Sequence, residues 1–149
     1  MKKVLFVIPI ILLFVLLSAK PYFGTQVANS DVGIKFTEGT WADILAKSKK
    51  EHKPIFLDAS TSWCGWCKRL KATTFVDKDV ANFFNKNYIN YEIDAEHGEG
   101  LTLAKKYRIN NFPTLVFIDA NEKSLMFSEG YLAAPDLLKL GKQVIDKNK

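Results

Sequence analysis

The sequence predicts an α/β fold in which a central mixed β-sheet is flanked by helices on both faces, and three observations carry that expectation. Short apolar runs alternate along the chain with segments of helical period, the order expected of strands and helices packed in layers. The last two apolar runs, 112–119 and 125–127, are joined by the turn residues Asp119-Ala120-Asn121-Glu122 and so pair antiparallel. Two cysteines, Cys64 and Cys67, follow directly on the apolar run 55–59, where a strand gives way to a helix.

The elements follow in order. Gly33-Ile34-Lys35-Phe36 reads as a short edge strand. Thr40 opens a helix with a capping-box pattern in which Asp43 replaces the usual Glu, and Trp41, Ile44, Leu45 and Ser48 share one face. Pro54 blocks further helix and opens 55–59, apolar and short enough for a buried strand. The helix bearing the cysteines continues through Leu70 to about Thr73. Residues 79–84 carry caps and spacing for another turn or two of helix, with Val80, Phe83 and Phe84 inward. Residues 88–94 alternate as a strand, Ile89, Tyr91 and Ile93 on one side, and 101–107 is helical by composition. A proline-opened strand, its antiparallel return and a last helix over 135–147 complete the domain; that helix presents Leu137, Leu138, Leu140, Val144 and Ile145.

The chemistry lies in Trp63-Cys64-Gly65-Trp66-Cys67-Lys68, which holds the only two cysteines of the chain. Two thiols with two residues between them can close into a disulfide on the first turn of a helix. There the first sulfur meets unpaired backbone N–H groups at the positive end of the helix dipole, a setting that favours thiolate. Thiolate is the attacking species in disulfide exchange. Cys64 is thus the candidate nucleophile and Cys67, one turn on and deeper, the candidate resolving thiol. Lys68 adds positive charge, while Trp63 and Trp66 serve either as a flat apolar rest for a peptide or as packing.

Other uses of the pair fit less well. Structural zinc takes four Cys or His ligands, and beyond the thiols only His52 and His97 are available, without ligand spacing. An iron–sulfur cluster needs more cysteines than the chain has. A purely structural bridge here closes too short a loop to restrict the unfolded chain much. Asp94-Ala95-Glu96-His97-Gly98-Glu99-Gly100 lacks the spacing of a calcium loop and reads as a solvated acidic turn, with His97 exposed. No metal and no cofactor are expected.

Met1-Lys2-Lys3 and the apolar stretch 4–17 have the form of a secretory signal, shorter than the roughly 17–25 residues of a membrane span. Residues 1–19 are therefore expected to be a signal peptide or, uncleaved, an N-terminal anchor; 20–32 a linker; and 33–149 one domain. Loss of 1–19 lowers the formal charge of +5 by the two lysines Lys2 and Lys3, to a mild +3. The remaining lysines are interleaved with acids, and no basic stripe carries aromatics at regular spacing, so nucleic-acid binding is not expected.

The Cys64 motif, Asp58 six residues before it, and Phe112-Pro113-Thr114 ahead of a hydrophobic strand together resemble the thioredoxin superfamily over about 34–145. Thr74-Phe75-Val76-Asp77, with Asp94-Ala95-Glu96 ahead of Leu103-Ala104-Lys105-Lys106-Tyr107, is similar to the thioredoxin-like domain of bacterial periplasmic thiol:disulfide interchange proteins. The resemblance implies a thioredoxin-like fold and a protein-disulfide oxidoreductase. It implies a cis Pro113 beside Cys64, with Trp63, Gly65, Trp66, Phe112, Pro113 and Thr114 forming the substrate surface. It further implies that Asp58 is a buried carboxylate that takes the proton of Cys67, and that Gly130 either closes the substrate groove or is a simple turn glycine. Two positions depart from thioredoxin itself: Trp66 replaces a proline, and Asn90 stands where a lysine would accompany the buried aspartate.

The partners so implied are disulfide-containing or dithiol proteins and a membrane electron donor, with the chain a periplasmic or secreted monomer acting as reductase or relay. It would touch the membrane only if 1–19 is retained. The competing readings are a binding module, adaptor or chaperone, whose cysteines are a switch or staple, and a dithiol metal carrier.

Overall fold

The computed structural model describes residues 33–148; the expected signal segment and linker lie outside the described residues. Nine elements follow in chain order: α1 (Trp41–Glu51), β1 (Ile55–Ser60), α2 (Gly65–Thr73), α3 (Lys78–Asn87), β2 (Ile89–Asp94), α4 (Gly98–Lys106), β3 (Thr114–Ile118), β4 (Ser124–Glu129) and α5 (Ala134–Lys147). The strands form one mixed sheet in the order β2-β1-β3-β4. β1 runs parallel to β2 and antiparallel to β3, which pairs antiparallel with β4.

Alternation along the strands divides the core in two. Ile55, Leu57 and Ala59 of β1 join Ile89, Tyr91 and Ile93 of β2 on the face covered by Trp41 and Ile44 of α1 and Leu103 of α4. Phe56 of β1 and Leu115 and Phe117 of β3 meet Leu70, Val80, Phe84, Leu137 and Val144 from α2, α3 and α5 on the other. Phe56 and Phe84 pack edge to face with centroids 4.6 Å apart, and both are fully buried. Burial of each such ring contributes about 2–3 kcal/mol. Every residue of β1 is buried, so the strand that leads to the cysteines is held on both faces.

Local chemistry sets the element ends. The Thr40 side chain accepts the Asp43 N–H while Asp43 accepts the Thr40 N–H, closing the expected capping box of α1. Asp77 caps α3 by accepting from Asp79 and Val80, so the helix starts slightly before the expected 79. α4 also starts earlier than the expected 101 because Gly100 lets its first turn lie against β2; a Cβ there would stand 2.0 Å from the Asp94 carbonyl oxygen.

Residues 33–36, expected as an edge strand, form none. The segment divides its backbone bonds between the loop after α2 and strand β2, Ile34 N–H donating to Phe75 O and Thr37 N–H to Asn90 O, both at 2.8 Å, so no ladder develops. Among the described residues no helix is long and apolar enough to cross a membrane.

Candidate active site

Cys64 ends the loop after β1 as the N-cap of α2, with φ −70° and ψ 104°. Its Sγ accepts the Cys67 N–H at 3.0 Å, and its carbonyl takes the first helical bond, from Lys68 at 3.2 Å. The two cysteines are joined in a disulfide, with Cα atoms 5.3 Å apart. The Cys64 sulfur therefore occupies the place where a helix N-terminus stabilises an anion. The expected contrast in depth is slight in this oxidised form: Cys64 is 4 % and Cys67 2 % exposed, because the bond holds the two sulfurs side by side. Cys67 is the one that lines a polar cleft of about 230 Å³, shared with Ser60, Thr61, Lys68, Lys71 and Glu92.

Alternation in β1 turns Asp58 to the same face as Phe56, beneath α2. The residue is completely buried, and neither carboxyl oxygen has a hydrogen-bond partner among the described residues. Burial pushes its pKa up to about 7; nearby Lys71 opposes the rise and Glu92 adds to it. The register explains this pair. Glu92 of β2 stands beside Asp58, and Lys71, one turn after Cys67 on α2, reaches across to Glu92 at 2.5 Å and to the Ser60 hydroxyl at 3.4 Å.

Asn90 does not stand in for the accompanying lysine. It pairs with Phe56 in the sheet and donates its side-chain amide to Lys35 O and Asn85 Oδ1, each at 3.2 Å. The cation near Asp58 comes from α2 instead. Sequence reasoning missed Lys71 and Glu92, although the four-residue step from Cys67 to Lys71 places both on one helical face.

Contacts link the other predicted positions to one another and to Trp63. Phe112–Pro113 is a cis peptide, and the Phe112 ring packs edge-on against Trp63 with centroids 6.0 Å apart, which brings the Pro113 loop to the residue before Cys64. Among the described residues the Phe112 amide and carbonyl have no backbone partner. Thr114 is buried at the start of β3, its hydroxyl donating to Asn111 O at 2.7 Å, so it supports the loop and offers no surface. Gly65 starts α2 with open space where a Cβ would lie. Gly130 has φ +85° and donates its N–H to Pro113 O at 2.8 Å, which ties the loop after β4 to the cis-proline.

Neither tryptophan packs in the core. Trp63 is 66 % and Trp66 56 % exposed. The Trp63 indole N–H donates to Glu96 at 2.9 Å, whereas Trp66 leans on Tyr131 with centroids 5.8 Å apart. His97 is exposed and pairs with Asp94 at 2.9 Å in the turn before α4.

Comparison with known proteins fits this geometry. Over 88 residues the chain is 32% identical to a thiol:disulfide interchange protein DsbD of Campylobacter jejuni, covering 58% of this chain and 15% of that protein. Over 96 residues it is 30% identical to the disulfide bond reductase DsbH of Chlamydia pneumoniae, covering 58% of each. The matched region is thus a small part of DsbD and a little over half of DsbH. A solved structure of a candidate disulphide-isomerase from Bacteroides thetaiotaomicron superposes with a TM-score of 0.69 at 39% identity, over 76% of this chain and 94% of that one. A family model described as the thioredoxin-like domain matches residues 41–145, and the chain belongs to that family.

Proposed function

We propose that the protein is an exported protein-disulfide oxidoreductase that works through Cys64 and Cys67, as a reductase or electron relay. The observation that carries this reading is the Cys64 sulfur at the N-cap of α2, accepting the Cys67 N–H, together with Asp58, buried on the β1 face that packs against α2 and without a hydrogen-bond partner among the described residues. The names of the DsbD and DsbH relatives support the same chemistry.

In the reduced protein the Cys64 thiolate attacks one sulfur of a substrate disulfide, which forms a mixed disulfide and releases the first substrate thiolate. Asp58, ionised in part near neutral pH, takes the proton of the Cys67 thiol. The Cys67 thiolate then attacks the Cys64 sulfur, expels the second substrate thiolate and closes the Cys64–Cys67 bond. Two electrons pass to the substrate, whose thiolates take up two protons. A dithiol protein, in an oxidising compartment a membrane electron donor, restores the thiols by the reverse exchange. Trp63, Phe112 and the unpaired backbone beside Pro113 receive the substrate as an extended strand.

The exposed tryptophans also favour a second reading, a binding module in which the cysteines act as a switch. Insulin-disulfide reduction with dithiothreitol as donor separates the two. The parent accelerates the reaction and Cys64→Ser does not; equal rates would remove the oxidoreductase reading. Equilibration against glutathione fixes the direction, a strongly reducing potential supporting reductase and a strongly oxidising one a disulfide donor.

A further inference from the structure

The surface beside the disulfide has an unbalanced charge. Arg69 lies on the exposed side of α2, three residues after Trp66, with its guanidinium carbon 5.3 Å from the Trp66 ring centroid and 5.4 Å from that of Tyr131. The Tyr131 hydroxyl is in turn 3.2 Å from Thr73 Oγ1, which steadies that ring over α2. Two aromatic faces thus hold a cation at a fixed place. Lys47, Lys53, Lys71 and Lys106 each pair with a glutamate. Among the described residues neither Arg69 nor its neighbour Lys68 has a carboxylate partner.

The opposite end of this surface carries the opposite sign. There Glu96 holds the Trp63 indole and meets no cation among the described residues. The disulfide therefore sits between a cationic end, at Trp66 and Tyr131, and an anionic end, at Trp63. Both rings lie within cation–π reach of the guanidinium, whose planar set of N–H donors suits a carboxylate fork.

We propose that Arg69, held between Trp66 and Tyr131, is a specificity-determining residue that selects substrates with an acidic side chain near the disulfide cysteine. This rests on the oxidoreductase reading above. Arg69 is five residues from Cys64 along α2, about 7.5 Å of helical rise, which an extended substrate spans in two or three residues. Glu96 disfavours the same acid at the other end, so the preference has a direction along the peptide.

The test uses four short peptides, each joined by a mixed disulfide to a neutral thiol, with Glu or Lys three residues before or three residues after the cysteine. Their reduction by the parent and by Arg69→Gln gives kcat/KM ratios in which any general loss of activity cancels. In one of the two placements the parent is expected to favour Glu over Lys by about tenfold at low ionic strength, with the ratio shrinking as salt is added. Arg69→Gln brings that ratio below about twofold. The proposal is overturned if neither placement favours Glu, or if the preference survives in Arg69→Gln. Binding of the same peptides with serine for cysteine, followed by tryptophan fluorescence, reads the charge preference without any exchange. Loss of turnover with an intact binding preference would therefore count against the oxidoreductase reading and in favour of the Arg69 site.

Discussion

Replacing Asp58 by asparagine tests the buried carboxyl through stability. A group whose pKa rises from 3.8 to about 7 on folding binds its proton more tightly in the native state. Its contribution is thus a cost that is absent below 3.8, grows as the pH climbs and is complete above about 7. At about 1.4 kcal/mol per unit, the full cost is about 4 kcal/mol, and more than half of it develops between pH 5 and pH 8. Urea unfolding of the disulfide-intact protein at those two values measures it. The parent should lose about 2–3 kcal/mol more than Asp58→Asn, whose own pH dependence carries every other titrating group. The same variant, once reduced, should resolve the mixed disulfide on the order of a hundredfold more slowly near neutral pH. Equal pH dependence in parent and variant would refute the claim that folding strips this carboxyl of water.

Lys71→Met removes the cation that opposes the rise, so Asp58 should titrate higher and the loss of stability, from the same onset near 3.8, should run on to higher pH; the same unfolding series checks it, and a loss that levels off earlier than in the parent would contradict the placement of Lys71. Gly100→Ala forces a Cβ to 2.0 Å from a backbone oxygen and should cost about 3 kcal/mol, seen as a drop in Tm. Gly98→Ala, which meets no atom within 4 Å but has φ +54°, should cost only about 1 kcal/mol, and equal losses in the two would show that the contact with β2 is not what demands glycine at 100.

Much of the scaffold was legible because its signals are local. Thr40 with Asp43, Pro54 before a short, mostly apolar run and the cysteine spacing each act within one turn or one strand. The 33–36 segment misled because apolar residues in extended backbone look alike whether or not a neighbour offers a full ladder; here Phe75 and Asn90 each supply a single backbone bond. Asn90 is indeed no cation. Its side chain shares the face of Glu92, but the register sets it beside Phe56, two residues from Asp58, where it bonds Asn85, and the charges near Asp58 come from positions 71 and 92, which only the sheet register and the phase of α2 bring together. The Arg69 cluster escaped notice altogether: Trp66 and Arg69 stand at helical spacing, but Tyr131, the second ring, lies 62 residues further on.

The account depends most on Cys64 being the ionised sulfur of the pair. Iodoacetamide labelling of the reduced protein between pH 4 and pH 9, with each site followed by peptide mapping, measures this directly. Cys64 should label first and titrate well below the roughly 8.5 of an ordinary thiol, with Cys67 lagging. Equal and slow labelling of both cysteines, each following an ordinary thiol curve, would contradict it.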